Sequence, residues 1–193
     1  MNAYDFDNTI YDGESPFDFF LFCIKKKKRL IIYLPVALLL ASLYKLRLLS
    51  IKLLLKLVGR LTKAFNKNKG DLLKLVDEFW ELNEKKLKPN YLAKLTENDI
   101  IITAAPRFLM DGIKHKLNVR DIMSSEFNVD TGKFEFANFR ENKVKAFKEK
   151  YPNERIINFY TDSYNDAPLM EIAENFFLVK GNKDPILIKS KEK

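Results

Sequence analysis

Two runs constrain this chain more than anything else in it: Ile100-Ile101-Ile102 and Ile156-Ile157-Asn158-Phe159-Tyr160. Each is short, rich in β-branched or aromatic residues, and bounded by polar positions. Each reads as a strand buried on both faces, the pattern of a parallel sheet. Parallel neighbours need crossover connections, usually helices. The residues between and after the runs supply them: Pro106 opens a helix to about Leu117, Glu141 to Tyr151 is a helix bearing Val144 and Phe147, and residues 166–174 read as helix. Phe176 to Val179 then reads as a last strand. Val119 to Phe127 reads as a further strand, and 127–139, with Asp130-Thr131-Gly132 at its middle, as a hairpin. Residues 2–6 also read as a strand, separated from the others by more than eighty residues. The class expected is therefore α/β.

What lies between is different. Ser15-Pro16 is a helix start, with Ser as cap and Pro at the first helical position. The helix carries Phe17, Phe19, Phe20, Leu21, Phe22 and Ile24, and ends in Lys25-Lys26-Lys27-Lys28-Arg29. Leu30 to Tyr44 is fifteen residues without a charge, too few for a bilayer span of about 20. It reads as a buried helix or as an interfacial or re-entrant segment, with Pro35 starting or kinking it. Residues 46–61 read as a basic amphipathic helix, residues 66–70 as a turn, and Asp71 to Leu87 as a helix capped by Asp71. Pro89-Asn90 ends that helix, and Tyr91 to Leu95 is a short one. The expected organisation is a core of residues 1–13 and 99–193, and an all-helical insertion of residues 14–98.

Charge follows the same division. Residues 15–69 hold 13 Lys/Arg against the single acid Asp18, while 70–193 hold 21 of each sign. An excess confined to one segment suits a polyanionic partner: a membrane surface, a nucleic acid or a phosphorylated substrate. Nucleic acid is not expected, because aromatic residues are not interleaved with the basic residues of 45–69. Cys23, the only cysteine, excludes an internal disulfide, fits a reducing compartment, and reads as core. His115, the only histidine, reads as a surface helix residue. Residues 1–14 have no basic or apolar region of the kind a cleavable signal peptide needs.

Ligands of open α/β sheets bind outside the carboxyl ends of the strands. The polar residues at those ends are Asp5 and Asp7, Thr103, and Asp162. On a strand, Asp5 and Asp7 would point to one side. Two carboxylates so placed raise each other's pKa unless a cation lies between them, so the pair suggests a divalent metal, a shared proton, or both. Asp12 and Glu14, just beyond, read as capping or solvated residues, with a hinge or substrate contact as the other possibility.

Together these residues resemble the haloacid dehalogenase-like hydrolases, in the phosphoserine-phosphatase-like branch. That superfamily's four motifs are matched in order by Asp5-Phe6-Asp7-Asn8-Thr9, by Thr103 ending its strand, by Lys143 at a helix start, and by Asp162-Ser163-Tyr164-Asn165-Asp166. Thr161 departs from the pattern, where a glycine commonly precedes the fourth motif. The resemblance implies a three-layer Rossmann-like parallel-sheet core with an inserted all-helical cap domain between the first two motifs. It implies Asp5 as nucleophile and Asp7 as acid and base. Lys143 would offset charge on Asp5 and the phosphoryl group, while Thr103 and Ala104 would hold phosphoryl oxygens. Mg²⁺ would be held by Asp5 and Asp162, by Asp7 through its carbonyl, and by Asp166 as a ligand or just behind one.

Three functions compete. The first is a Mg²⁺-dependent phosphatase acting through an aspartyl-phosphate on a lipid phosphate such as phosphatidylglycerophosphate. It rests on the basic, leucine-rich insertion and on resemblance to phosphatidylglycerophosphatase-type members. Such a protein would be cytoplasmic and peripheral on the inner membrane face, touching anionic lipid through residues 25–61. The second is a soluble phosphomonoesterase with a phosphoserine-like substrate. The third, an inactive fold serving as a membrane or protein-interaction module, is opposed by the intact motifs.

Overall fold

The structure is a computed structural model that describes residues 1–45 and 69–190. The basic helix expected over 46–61 lies outside the described residues. Seven strands form one sheet in the order β4-β3-β2-β1-β5-β6-β7. They are β1 (Ala3–Tyr4), β2 (Ile100–Pro106), β3 (Asp121–Asn128), β4 (Lys133–Phe136), β5 (Asn158–Thr161), β6 (Asn175–Leu178) and β7 (Ile186–Ser190). The five central strands are parallel, and the edge strands β4 and β7 run antiparallel to their neighbours. The core is parallel as expected, and the antiparallel edge strands, one of them from the expected hairpin, make the whole sheet mixed. The hairpin is made by β3 itself turning into β4, so no separate strand pair follows it. β7 was not anticipated: Ile186, Leu187 and Ile188 are largely exposed, so no buried face marks that strand.

β1 is two residues long yet central. Its register is set by both neighbours, Ala3 facing Ile100 and Phe159, and Tyr4 facing Ile101 and Tyr160. Tyr4 stacks on Tyr160 at 4.7 Å between ring centroids, and Tyr160 on Phe177 at 4.8 Å. Such cross-strand pairs are the unit of sheet stabilisation.

Helices cover both faces. On one face lie α1 (Ser15–Lys26), α3 (Lys69–Asn83) and α5 (Arg107–Ile113). Phe19, Phe22, Val76, Phe79, Trp80 and Met110 share one apolar cluster with Tyr4, Phe6, Ile101 and Ile122. On the other, α6 (Glu141–Lys150) and α7 (Ala167–Ile172) pack Phe147 and Leu169 on Ala3, Ile100, Ile102, Phe159 and Phe176. Helices α1 and α3 therefore share a core with the sheet across the expected segment boundary at residues 13–14. The contact of α3 with α5 needs Gly112, where a Cβ would lie 2.5 Å from Val76 Cγ1 and 2.8 Å from Trp80 Cδ1.

Between α1 and α3, residues Lys28–Tyr33 form a 3₁₀ turn and Leu34–Lys45 form α2. Among the described residues no helix is long and apolar enough to cross a membrane. Lys69 and Gly70 already belong to α3, so the expected turn does not extend over them, and Asp71 sits inside the first turn. The helix expected from Tyr91 is α4 (Pro89–Leu92). Crossovers leave β1 toward β2 on one face and reach β5 on the other, so the carboxyl end of β1 is the topological switch point.

Candidate active site

After Tyr4 the chain continues the ladder for one more bond, Asp5 N–H to Tyr160 O at 2.8 Å. It then turns. Phe6 is fully buried, and its carbonyl accepts the N–H groups of Ile10 and Tyr11 at 2.9 Å each. Asn8 takes φ 56°, a left-handed value that Asn tolerates better than most residues. Gly13 has φ 137° and carries no Cβ beside Asp18 Oδ2, which one would meet at 2.9 Å. Because the strand stops at Tyr4, Asp5 and Asp7 are not paired by strand alternation. Each has its own partner.

Asp5 is buried and accepts a hydrogen bond from Lys143 Nζ at 2.9 Å, on Oδ1. The same ammonium lies 2.8 Å from Asp166 Oδ1. Lys143 is in the first turn of α6 and only 2% exposed. Burial alone would pull its pKa down, but Asp5 and Asp166 outweigh it and hold the ammonium above its ordinary value. Asp166 Oδ2 accepts from Thr161 Oγ1 at 2.9 Å, and Thr161 Oγ1 accepts from Ser163 N–H at 3.2 Å. The one departure from the motif pattern therefore supplies a hydroxyl that fixes the acidic loop.

Asp7 Oδ1 accepts from the backbone N–H of Ser15 at 2.7 Å. Ser15 is not the cap of α1: it is the first helical residue, Glu14 is the cap position, and the free N–H at the helix start goes to Asp7. A helix N-terminus favours such a carboxylate. Burial nevertheless raises the Asp7 pKa well above the usual carboxylate range, with Ser15 opposing and Glu14 adding. Burial also pushes Asp5 up to about 7, Lys143 pulling against it and Asp166 and Asp162 adding to it. Asp162 rises to about 6, by burial first and then by Glu14. Glu14 is exposed, and its carboxyl accepts from Asn8 Nδ2 at 2.7 Å; partial burial raises its pKa. Its charge adds to the rise at Asp7 and Asp162.

Thr103 is 1% exposed, and its Oγ1 accepts from Ala105 N–H at 3.1 Å. That uses an acceptor position and leaves the hydroxyl proton to donate elsewhere. Ala104 is exposed, with its carbonyl accepting from Ser125 Oγ at 2.8 Å. His115 is exposed and Cys23 is buried, as expected.

Three residues that the sequence did not flag hold these loops. Asn138, fully buried, donates both amide protons, to Met123 O at 2.7 Å and Thr103 O at 3.2 Å. Ser125 accepts from Asn138 N–H at 2.9 Å. Lys88, only 3% exposed, donates to Asn8 O at 2.6 Å and Gly181 O at 3.0 Å, and burial lowers its pKa. Position 88 precedes Pro89, which holds it extended; that was the only local signal. Lys88→Met leaves two carbonyls without their donor. It should cost about 1–3 kcal/mol of stability, seen as a lower urea midpoint at unchanged slope.

A cavity of about 380 Å³ lined by Met123, Ser124, Phe136 and Asn138 lies between α6 and the β3–β4 hairpin, and none of these carboxylates lines it. Among the described residues no three acidic, His or Cys side chains converge as a ready-made metal cage. The donor chemistry nonetheless fits a hard cation. Burial raises three neighbouring carboxylates, Asp5, Asp7 and Asp162. Mg²⁺ takes one or two carboxylates and keeps waters and substrate phosphate oxygens for the rest.

In fold, the chain is similar to a protein of unknown function from Bordetella pertussis Tohama I: TM-score 0.72, 20% identity, 89% of this chain and 85% of that one covered. It is also similar to a phosphoserine phosphohydrolase-like protein from Francisella tularensis subsp. tularensis SCHU S4, with TM-score 0.56, 17% identity, and 91% and 86% covered. A third likeness is to a HAD family hydrolase from Salmonella enterica subsp. enterica serovar Typhi, with TM-score 0.53, 12% identity, and 89% and 59% covered. No curated protein matches the sequence. The profile of the haloacid dehalogenase-like hydrolase family matches residues 3–171, from β1 through the motif-four loop into α7. With that match over most of its length, the chain belongs to the haloacid dehalogenase-like hydrolase family.

Proposed function

We propose that this protein is a Mg²⁺-dependent phosphomonoester hydrolase that works through an aspartyl-phosphate on Asp5. The observation that carries this reading is the buried Asp5–Lys143–Asp166 arrangement, in which one ammonium aims a carboxylate at the switch point of the sheet. Lys143 holds Asp5 Oδ1, which leaves Oδ2 to attack phosphorus. Asp7, whose burial favours its protonated form, gives a proton to the departing oxygen as the phosphorus–oxygen bond breaks. Water then attacks the phosphorus, Asp7 takes the water's proton, and the bond to Asp5 Oδ2 breaks. Inorganic phosphate leaves and Asp5 is restored. Thr103 donates its hydroxyl proton to a phosphoryl oxygen, and main-chain amides at Ala104 and the start of α5 receive the others.

Asp5 and Asp162 would hold Mg²⁺ with the Asp7 carbonyl. Asp166 stands beside them, its oxygens engaged by Lys143 and Thr161. When bound, Mg²⁺ would supply charge neutralisation at the phosphoryl group and favour the ionised form of Asp5. EDTA should abolish turnover and Mg²⁺ should restore it. Asp162→Ala should raise the Mg²⁺ concentration needed for half-maximal rate more than Thr161→Ala does. Undiminished activity in EDTA overturns the metal assignment.

For the substrate, we read a lipid phosphate such as phosphatidylglycerophosphate, supported by the basic, leucine-rich segment that the sequence inserts between the first two motifs. One observation favours a second reading, a soluble ester of the phosphoserine kind. The charge of Glu14 acts on both Asp7 and Asp162, and such a carboxyl would match an ammonium on the leaving group. Rates on the two esters with Mg²⁺ decide between them.

A further inference from the structure

From Phe19 to Gly70 the sequence contains no Asp or Glu, while Lys and Arg number 13 over 15–69. Within this stretch the described residues expose large apolar side chains that belong to neither core cluster. Ile31, Ile32, Val36, Leu38 and Leu39 are 61%, 72%, 46%, 48% and 58% exposed. They lie on the Lys28–Tyr33 turn and on α2, directly after the basic run Lys25–Arg29. None of these five side chains is a member of either apolar cluster that makes the core. Lys25 and Lys28 are exposed, whereas Lys26 is taken by Glu78 and rests on the ring of Phe22.

Exposed apolar area on this scale marks an interaction surface. Its chemistry selects the occupant. A second copy of the chain would bring the same uncompensated positive charge against it, so self-association is opposed. A nucleic acid would match the charge but gives large aliphatic side chains nothing to enter. An anionic bilayer matches both: a negative headgroup layer for Lys25 and Lys28, and an apolar interior for the isoleucines and leucines. Over its described residues α2 has 12 residues, about 18 Å, against a hydrocarbon core of roughly 30 Å. A helix of this length lies in the interface and does not span it.

We propose that residues 25–39 are a docking surface for the face of an anionic lipid bilayer, with the turn 28–33 and the first turns of α2 seated at the headgroup boundary. This surface goes beyond the catalytic reading and stands without it, since no residue of the site takes part. If the substrate is a lipid phosphate, docking places the active site at the surface that presents it.

The test is sedimentation of the full chain with vesicles of phosphatidylcholine alone or containing phosphatidylglycerol. Wild-type protein should pellet with the anionic vesicles at low salt, and binding should fall as salt rises. Each basic residue at an anionic surface contributes roughly five-fold in partitioning, so K25Q/K28Q should bind more than ten-fold more weakly. I31S/I32S should weaken binding at least as much and leave residual binding that salt abolishes. These four positions lie outside the core, so circular dichroism and hydrolysis of a soluble phosphate ester should match wild type. Protein carrying Asp5→Asn should pellet like wild type, which separates docking from catalysis. The proposal is overturned if wild type stays in the supernatant with anionic vesicles at low salt, or if I31S/I32S binds unchanged. It is also overturned if wild type is a dimer in solution that I31S/I32S converts to monomer, because the face is then an interface between copies.

Discussion

Asp5→Asn protein should lose turnover by roughly 10⁴–10⁶-fold, the scale on which removal of a nucleophile acts in other hydrolases. The amide is a poor nucleophile, and it keeps the shape of the carboxylate. Lys143 retains an acceptor in the amide oxygen, and Asp166 still neutralises the ammonium at 2.8 Å. Folding should therefore survive, and a loss of activity reads on chemistry. The covalent intermediate is the sharper readout. Acid-quenched wild type supplied with substrate should carry phosphate on Asp5, detected as a mass increase on the N-terminal peptide. The same peptide from the Asp5→Asn variant should show none. Wild-type rates from Asp5→Asn protein would remove the mechanism.

Asp7→Asn should slow hydrolysis by about 10²–10⁴-fold, the usual loss when positioned acid–base catalysis is removed. The effect should depend on the leaving group. An ester whose alcohol is acidic, such as p-nitrophenyl phosphate, needs no proton from Asp7 to depart, so its phosphorylation step should lose little. Breakdown of the aspartyl-phosphate still needs a base, so this variant should accumulate the intermediate on that substrate. An equal loss on acidic and alkyl leaving groups, with no accumulation, would show that Asp7 acts only by holding Ser15 N–H.

The two carboxylates differ in effect because they differ in surroundings, and that difference was not written in their spacing. Two aspartates two residues apart suggested a pair on one strand face. The strand ends at Tyr4, Phe6 turns into the core, and Asp7 is carried to the start of α1. A main-chain direction set by packing of Phe6, Tyr11 and Trp80 separated them. Asp12 and Glu14 read as capping or solvated residues, and both are exposed, Glu14 at the cap position of α1; the sequence did not show the bond that Glu14 accepts from Asn8 across the turn through Gly13.

Local pattern was enough where one physical requirement dominates. Continuous β-branched runs need burial on both faces, so Ile100–Ile102 and Phe159 announced the sheet and the α/β class. Polar residues at the ends of such runs must face the crevice, so Asp5, Thr103 and Asp162 were legible as a group. The 3.6-residue spacing of Phe147 and Tyr151 marked the helix that carries Lys143. What only the tertiary structure decided depends on residues distant in sequence. Nothing in the sequence around Lys143 asks for its burial; it is buried because Asp5, 138 residues away, and Asp166 neutralise it. Lys88 is buried because two carbonyls, of Asn8 and Gly181, replace its water. Thr161 departs from its motif, and only its bond to Asp166 explains the hydroxyl. A charged or polar side chain enters a core only when partners are already there, and partners are chosen by the fold, not by the neighbouring sequence.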